Sequence, residues 1–254
     1  VSPSTASPTE IHESGDSALR VVAISPDSEE NWATVHRLAS WLEDCGAEGL
    51  YGAVPTYDSV LVEFDSVLVS ARQMRAFVKL GLTELGRAGG AAVAPRYFDV
   101  PVVYGGEYGP DLEKVAAHQG LTTDEVIRLH TGKTYTIRCL GAPAGSPMMD
   151  GPAFPRPVPR LKDPRLSVPA GAVSVAGRQA VIAPAAAPGG WCVIGQTPYS
   201  VLNIRREPLV PYRPGDILTF RQIQAEDFGG FAGMELQPSD LPAGRRSSDP
   251  GATP

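Results

Sequence analysis

The pattern of the chain changes once, at residues 86 to 94 ("GRAGGAAVA"), and that change limits the possible folds more than any other feature. A glycine- and alanine-rich stretch between two different textures marks a domain boundary. Before it, strands and helices alternate. "ALRVVAI" (18 to 24) is strand-like, and "EENWATVHRLASWLEDCG" (29 to 46) has a helical period, with Trp32, Val35, Leu38, Ala39 and Leu42 apolar and Gly46 as the stop. "GLYGAV" and "SVLVEFD", separated by a turn at Pro55-Thr56, read as two strands. A second helix follows in "SARQMRAFVKLGLTELG", capped by Ser70 and burying Met74, Phe77 and Val78. The order β-α-β-β-α is that of a ferredoxin-like split unit, whose last strand residues 97 to 103 could supply. The expected fold class is α+β, with a ferredoxin-like domain over 14–95 and a barrel domain over 96–236.

The second half is β-rich and broken by Pro and Gly. Two short helices are expected, one over residues 110 to 117 with Pro110 at the first helical position, and one over 124 to 130 begun by the capping box Thr122-x-x-Glu125. "KTYTIRCL", "AVSVAGRQAVIA", "GWCVIG", "SVLNIRR" and "DILTFRQI" supply at least five strands, enough for a closed or nearly closed barrel whose mouth can hold a ligand. Residues 1–13 and 237–254 are rich in Ser, Pro, Thr and Gly, and are expected to be disordered tails.

Composition narrows the function. The net charge is −6 and no run of Lys and Arg tracks a helix face, which disfavours nucleic acid or an anionic membrane as a partner. The three cysteines are widely spaced, as suits buried small side chains in a reducing compartment. With no zinc-type spacing, signal sequence or membrane-length apolar run, the expectation is a cytoplasmic protein without a metal site.

"YGGEYGPDLEKVA" (104 to 116) joins a strand, glycines and a helix start, which are the parts of a phosphate cradle. A Walker loop needs a Lys and a hydroxyl after its last glycine. Here Pro110, Asp111 and Leu112 follow Gly109, putting a carboxylate where phosphate should sit and removing one backbone donor. A self-contained nucleotide loop is disfavoured.

Six stretches in order, "VPTYDSVLVEFD", "VPVVYGGEYGPDLEKVA", "VIRLHTGKTYTIRCLGAPAG", "VPRLKDPRLSVPAGAVSVAGRQ", "APGGWCVIGQTP" and "YRPGDILTF", resemble the family made up of the 5-oxoprolinase B subunit, allophanate hydrolase subunit 1 and KipI-like proteins. The resemblance implies a ferredoxin-like N-terminal part and a cyclophilin-like β-barrel. It implies partners as well: a second carboxyltransferase-type chain, like the 5-oxoprolinase C subunit or allophanate hydrolase subunit 2, and in the oxoprolinase case a protein like the 5-oxoprolinase A subunit. In that case the assembly opens the lactam of 5-oxoproline to glutamate using ATP, bound through the assembled complex. In the carboxyltransferase alternative, a biotin carrier brings carboxybiotin to an amide nitrogen such as that of urea. A third reading is a regulatory protein, as the family's kinase-inhibitor members are.

On this resemblance the candidate substrate-binding residues are Tyr104, Gly105, Gly106, Glu107, His130, Gly145, Arg160, Arg165, Gly189, Gly190, Trp191 and Gln196. Each also has a structural reading. Tyr104 to Glu107 can be a tight corner. His130 can satisfy the end of its helix, Trp191 can be core, and Arg160 and Arg165 can be surface arginines rather than a carboxylate clamp. The chain also departs from the family pattern. Ala142, Ser146 and Met148 fill positions usually aromatic, Ala172 stands for a usual serine, Ala183 for a tyrosine and Gln196 for an arginine. If these line one cavity, it is wider and less cationic than in typical relatives.

Overall fold

The computed structural model describes residues 7–88 and 94–239. The chain divides into two compact units, one ending at residue 93 and the other starting at Ala94.

The first unit contains β1 (Thr9–Glu13), β2 (Ala18–Ala23), α1 (Ser28–Cys45), β3 (Leu50–Pro55), β4 (Ser59–Phe64) and α2 (Ala71–Ala88). Its strands form one antiparallel sheet in the order β1-β2-β4-β3. α1 begins where the Asp27 carboxylate accepts the N–H groups of Glu29 and Glu30, and ends at Gly46, whose φ of 56° is left-handed. Its buried face is Val35, Leu38, Ala39 and Leu42, joined by Asn31 and Thr34, while Trp32 stays half-buried against His36. α2 approaches α1 closely enough that a Cβ on Gly81 would lie 2.6 Å from the Trp41 ring. Together the helices cover one face of the sheet around Leu19, Val21, Val60, Val62 and Phe64.

The place beside β2 that was expected to go to residues 97 to 103 is taken by β1, from a segment whose composition suggests a tail. Only Ile11 of β1 packs on the core, so composition alone hides the strand, and backbone pairing from Thr9↔Ala23 to Glu13↔Leu19 holds it. Arg75 reinforces it by donating to the Ile11 carbonyl at 2.7 Å.

The second unit contains β5 (Tyr97–Tyr104), α3 (Leu112–Gln119), α4 (Thr123–Thr131), β6 (Thr134–Gly141), β7 (Ser146–Asp150), β8 (Arg165–Val168), β9 (Ala172–Ala176), β10 (Gln179–Ile182), β11 (Ala187–Gly189), β12 (Cys192–Gln196), β13 (Ile217–Gln222) and a short α5 (Phe228–Phe231). Seven strands close into a barrel in the order β10-β7-β6-β13-β5-β12-β9, and β8 and β11 form a separate ribbon. β5 lies between β13, to which it is parallel, and β12. From Val100 to Val103 every residue of β5 is buried, as a strand inside a closed structure requires, and this is why it belongs to the barrel rather than to the first sheet.

Three strands, β7, β8 and β11, went unread in the sequence. Pro147 sits inside β7 and Pro188 inside β11, where the alternating pattern is lost. "SVLNIRR" is not a strand. Asn203 there accepts the Arg205 N–H on its side chain and donates its own N–H to the Leu209 carbonyl, so the chain turns. α3 starts at Leu112, two residues after Pro110, with Asp111 at its cap position. α4 carries the full reciprocal capping box of Thr122 and Glu125. Ser239, expected to lie in a C-terminal tail from residue 237, instead donates its N–H to the Tyr97 carbonyl at 2.7 Å, just after buried Leu236. Residues 240–254 lie outside the described residues. Cys139 and Cys192 are buried, whereas Cys45 is exposed at the end of α1. Among the described residues no helix is long and apolar enough to cross a membrane.

Candidate functional site

β5 ends at Tyr104, and the chain turns through Gly105 and Gly106 with φ of 72° and 54°, values that side chains other than glycine rarely adopt. The corner is fastened to β12. The Gly105 N–H donates to the Ile194 carbonyl, the Gly109 N–H to the Gly105 carbonyl, and the Asp111 N–H to the Val193 carbonyl. Gly109 is required by space, since a Cβ there would lie 2.1 Å from the Ile194 oxygen.

This corner borders a cleft of about 580 Å³ lined by Tyr104, Gly105, Gly106, Glu113, Thr123, Asp124, Ile127 and Gln222 among others. Glu113 is in the first turn of α3, and Thr123 and Asp124 open α4, so the first turns of two helices contribute to its wall. Helix N-termini favour partial negative charge such as a polarised carbonyl oxygen. Among the lining residues there are two carboxylates and no lysine or arginine.

Beneath the cleft, the Tyr104 hydroxyl and His130 Nδ1 are 2.7 Å apart. Ile127 lines the cleft and His130 follows one helical turn later on the same face of α4. The His130 ring is 0% exposed, packed against the rings of Tyr135 at 5.2 Å and Phe220 at 4.5 Å, and the Tyr135 hydroxyl donates to the His130 carbonyl. Burial, with a smaller contribution from the Lys133 charge, pushes its pKa down to about 3, so the ring is neutral at pH 7. Burial, and then Tyr135, raises the Tyr104 pKa well above the ordinary tyrosine value, so the hydroxyl keeps its proton.

The other candidates lie elsewhere. Glu107 is exposed beside the corner and does not line the cleft. Arg165 does clamp a carboxylate, but it is the chain's own. Its two terminal nitrogens donate to both oxygens of buried Asp111 at 2.7 and 2.9 Å, and the Val193 N–H adds a third bond to that carboxylate. The latch ties the start of α3 to β8 and β12. Arg160 stacks over half-buried Trp191 at 5.9 Å from the ring centre. The Gly190 carbonyl accepts from the Leu161 N–H, and Gly189 packs on Val168. The Gly145 carbonyl accepts from the Tyr212 hydroxyl at 2.7 Å. Gln196 donates to the Ala170 carbonyl at 2.8 Å.

Neither of the two described clefts gathers the altered positions on its wall. Ala142, Ser146 and Met148 belong to the β6–β7 hairpin, with the Ser146 hydroxyl turned back onto the Pro143 carbonyl, while Ala183 packs on Val168, Ala172 and Val193. None of them, nor Gln196, lines this cleft or a smaller one of about 260 Å³ between Arg96, Asn203, Arg206, Pro208 and Glu235. In the smaller cleft both arginines are already ion-paired, Arg96 with Asp216 and Arg206 with Glu235.

Sequence reasoning missed Asp111 as the partner of Arg165, and Glu113, Thr123, Asp124 and Gln222 as cleft residues. The capping box located the start of α4, which is the one signal that could have placed Thr123 and Asp124.

A seven-stranded closed barrel bearing a glycine corner and a buried Tyr–His pair, in a chain that also forms a small antiparallel α/β unit, defines the class of protein to compare. Residues 9–212 match the family described as carboxyltransferase domain, subdomain C and D, and the chain belongs to that family. It is 33% identical over 232 residues to the 5-oxoprolinase B subunit of Bacillus subtilis strain 168, covering 87% of this chain and 96% of that one. To the protein of the same name from Escherichia coli O157:H7 it is 42% identical over 125 residues, 49% of this chain and 57% of the relative. Among solved structures, TTHA0988 superposes with a TM-score of 0.69 at 31% identity over 82% of this chain, which spans 40% of that longer chain. The urea amidolyase of K. lactis shares the fold, with a TM-score of 0.73 at 16% identity over 92% of this chain and 16% of its own.

Proposed function

We propose that the chain is one component of an ATP-dependent amide or lactam hydrolase of the 5-oxoprolinase type, and that its barrel binds the amide and polarises its carbonyl. The first unit is then a ferredoxin-like domain whose fourth strand comes from β1, and the barrel is cyclophilin-like. The observation that carries the reading is the Tyr104–His130 hydrogen bond beneath the glycine corner, which supplies a protonated, neutral hydroxyl to a cleft whose wall includes Tyr104. A lactam carbonyl is a poor electrophile, and donors aimed at its oxygen stabilise the charge that develops when water attacks. The cleft does not suit a triphosphate, because Glu113 and Asp124 would repel it and no lysine or arginine lines it. ATP is accordingly handled by partner chains, a second carboxyltransferase-type chain and one like the 5-oxoprolinase A subunit.

The test is reconstitution. The chain with its partners is expected to release glutamate from 5-oxoproline in the presence of ATP, and the chain alone to turn over no ATP. Tyr104→Phe in the assembly is expected to lower kcat about tenfold to a hundredfold, the loss of one neutral donor to a developing oxyanion. Full activity in that variant refutes the assignment. ATP turnover by the isolated chain, abolished by mutation within it, refutes the division of labour.

A further inference from the structure

The Tyr104–His130 hydrogen bond has a direction, and the surroundings of the other ring nitrogen decide it. His130 is neutral and so carries one ring proton. Its Nε2 is fully buried without a hydrogen-bond partner among the described residues, between the rings of Tyr135 and Phe220. With the proton on Nε2, a buried N–H would have no acceptor. With the proton on Nδ1, it enters the 2.7 Å bond to Tyr104, Nε2 keeps only a lone pair, and the Tyr104 hydroxyl proton is left to the cleft that Tyr104 lines, where water or a ligand can accept it. Buried N–H groups without acceptors are rarer in folded proteins than under-used acceptors, and each unmet donor bears its full desolvation cost. The second arrangement is therefore the stable one.

We propose that His130 is a positioning residue that, as its Nδ1–H form, donates to the Tyr104 oxygen and thereby turns the Tyr104 hydroxyl proton toward the cleft, as the donor to a carbonyl oxygen of a neutral amide or lactam. The opposite direction would present only a lone pair there and would select a ligand N–H. The Tyr135 hydroxyl, bonded to the His130 carbonyl, fixes the backbone beneath the ring, and Phe220 of β13 closes the other side. The donor half of the inference rests on reading the cleft as an amide site. The tautomer half does not.

Long-range proton–nitrogen correlation NMR on the full chain labelled with ¹⁵N-histidine reads the tautomer at pH 7. The expected result is a pyrrole-type Nδ1 and a pyridine-type Nε2 for His130, whose signals are identified by their loss in His130→Gln. The reverse assignment overturns the proposal. In Tyr104→Phe the acceptor for Nδ1–H is gone, and the two tautomers are expected to mix. An unchanged spectrum would show that Tyr104 does not set the tautomer and would also overturn it. The wild-type spectrum decides the first point even if that variant fails to fold. Titration with 2-pyrrolidinone, a neutral lactam, is expected to give about fivefold weaker binding in Tyr104→Phe than in wild type, the worth of one neutral hydrogen bond. Equal affinities, with the expected tautomer in place, would overturn the donor role and the amide reading of the cleft while leaving the tautomer established.

Discussion

At the scale of single residues, the second unit uses a few buried polar groups as fasteners. Asp111 is the clearest: its carboxylate takes both arms of Arg165 and the Val193 N–H, and its own N–H goes to the Val193 carbonyl. Asp111→Ala removes the anion while leaving Arg165 and a buried N–H unpaired, and should cost about 2–3 kcal/mol, discounted from a fully buried pair because Arg165 is partly exposed. Arg165→Met should cost more, since it leaves the more deeply buried Asp111 carboxylate with one backbone donor and no countercharge, whereas the partly exposed Arg165 left by Asp111→Ala can turn to water. Thermal melts of the two variants check the order, and equal costs would refute it. His130 makes a separate, pH-dependent claim. Its folded pKa of about 3 lies below the unfolded value near 6.5, so the unfolded chain takes up a proton that the folded chain refuses. Its contribution to stability is complete above pH 6.5, falls by up to about 1.4 kcal/mol per pH unit below that, and is lost near pH 3. Urea unfolding of wild type and His130→Phe from pH 7 to pH 4 should give curves that converge as pH falls. Parallel curves would show that this histidine does not govern the slope.

At the scale of elements, legibility in the sequence followed how much of each signal was local. α1 and α4 could be read because an apolar period coincides with a terminal signal, the Gly46 stop in one and the Thr122–Glu125 box in the other. The glycine corner could be read as a corner, yet not as the wall of a cleft, because Glu113, Asp124 and Gln222 reach that wall only after α3, α4 and β13 have packed. Arg165 was readable as a carboxylate clamp, but its partner stands 54 residues away, a distance that no local pattern spans. β1 failed for the opposite reason: its stability lies in backbone pairing with β2 and one arginine reaching in from α2, not in its own side chains. A chain begun at Ser14 should therefore lose several degrees of melting temperature, because β2 would become an exposed edge and Ile11 would leave the core. A chain begun at Ser7 should melt like the full one. If both shortened chains melt alike, β1 contributes nothing to the fold.

At the scale of the molecule, each unit carries its own core. Leu19, Val21, Leu38, Val60, Val62, Phe64, Met74 and Val78 pack with one another in the first, and a separate cluster built on β5, β6, β9, β12 and β13 fills the barrel. A core that is complete within one stretch of chain can fold without the other stretch, provided enough apolar surface is buried to offset the entropy of ordering it. The first unit builds such a core from a four-stranded sheet covered on one face by two helices, and its two edges have different defences. β1 carries Glu10, His12 and Glu13, while β3 has a register irregularity between Leu50 and Gly52 and ends at Pro55. Charges, bulges and terminal prolines each discourage a sheet edge from pairing with another chain. The fragment 7–88 is thus expected to be a monomer with a single cooperative thermal transition, and to retain slow amide exchange at Leu19, Val21, Val60 and Val62 in the two central strands. Circular dichroism, analytical ultracentrifugation and hydrogen exchange on that fragment test the claim. A broad, non-cooperative melt would show that the first core depends on the barrel for its stability, and self-association would show that the edge defences are insufficient.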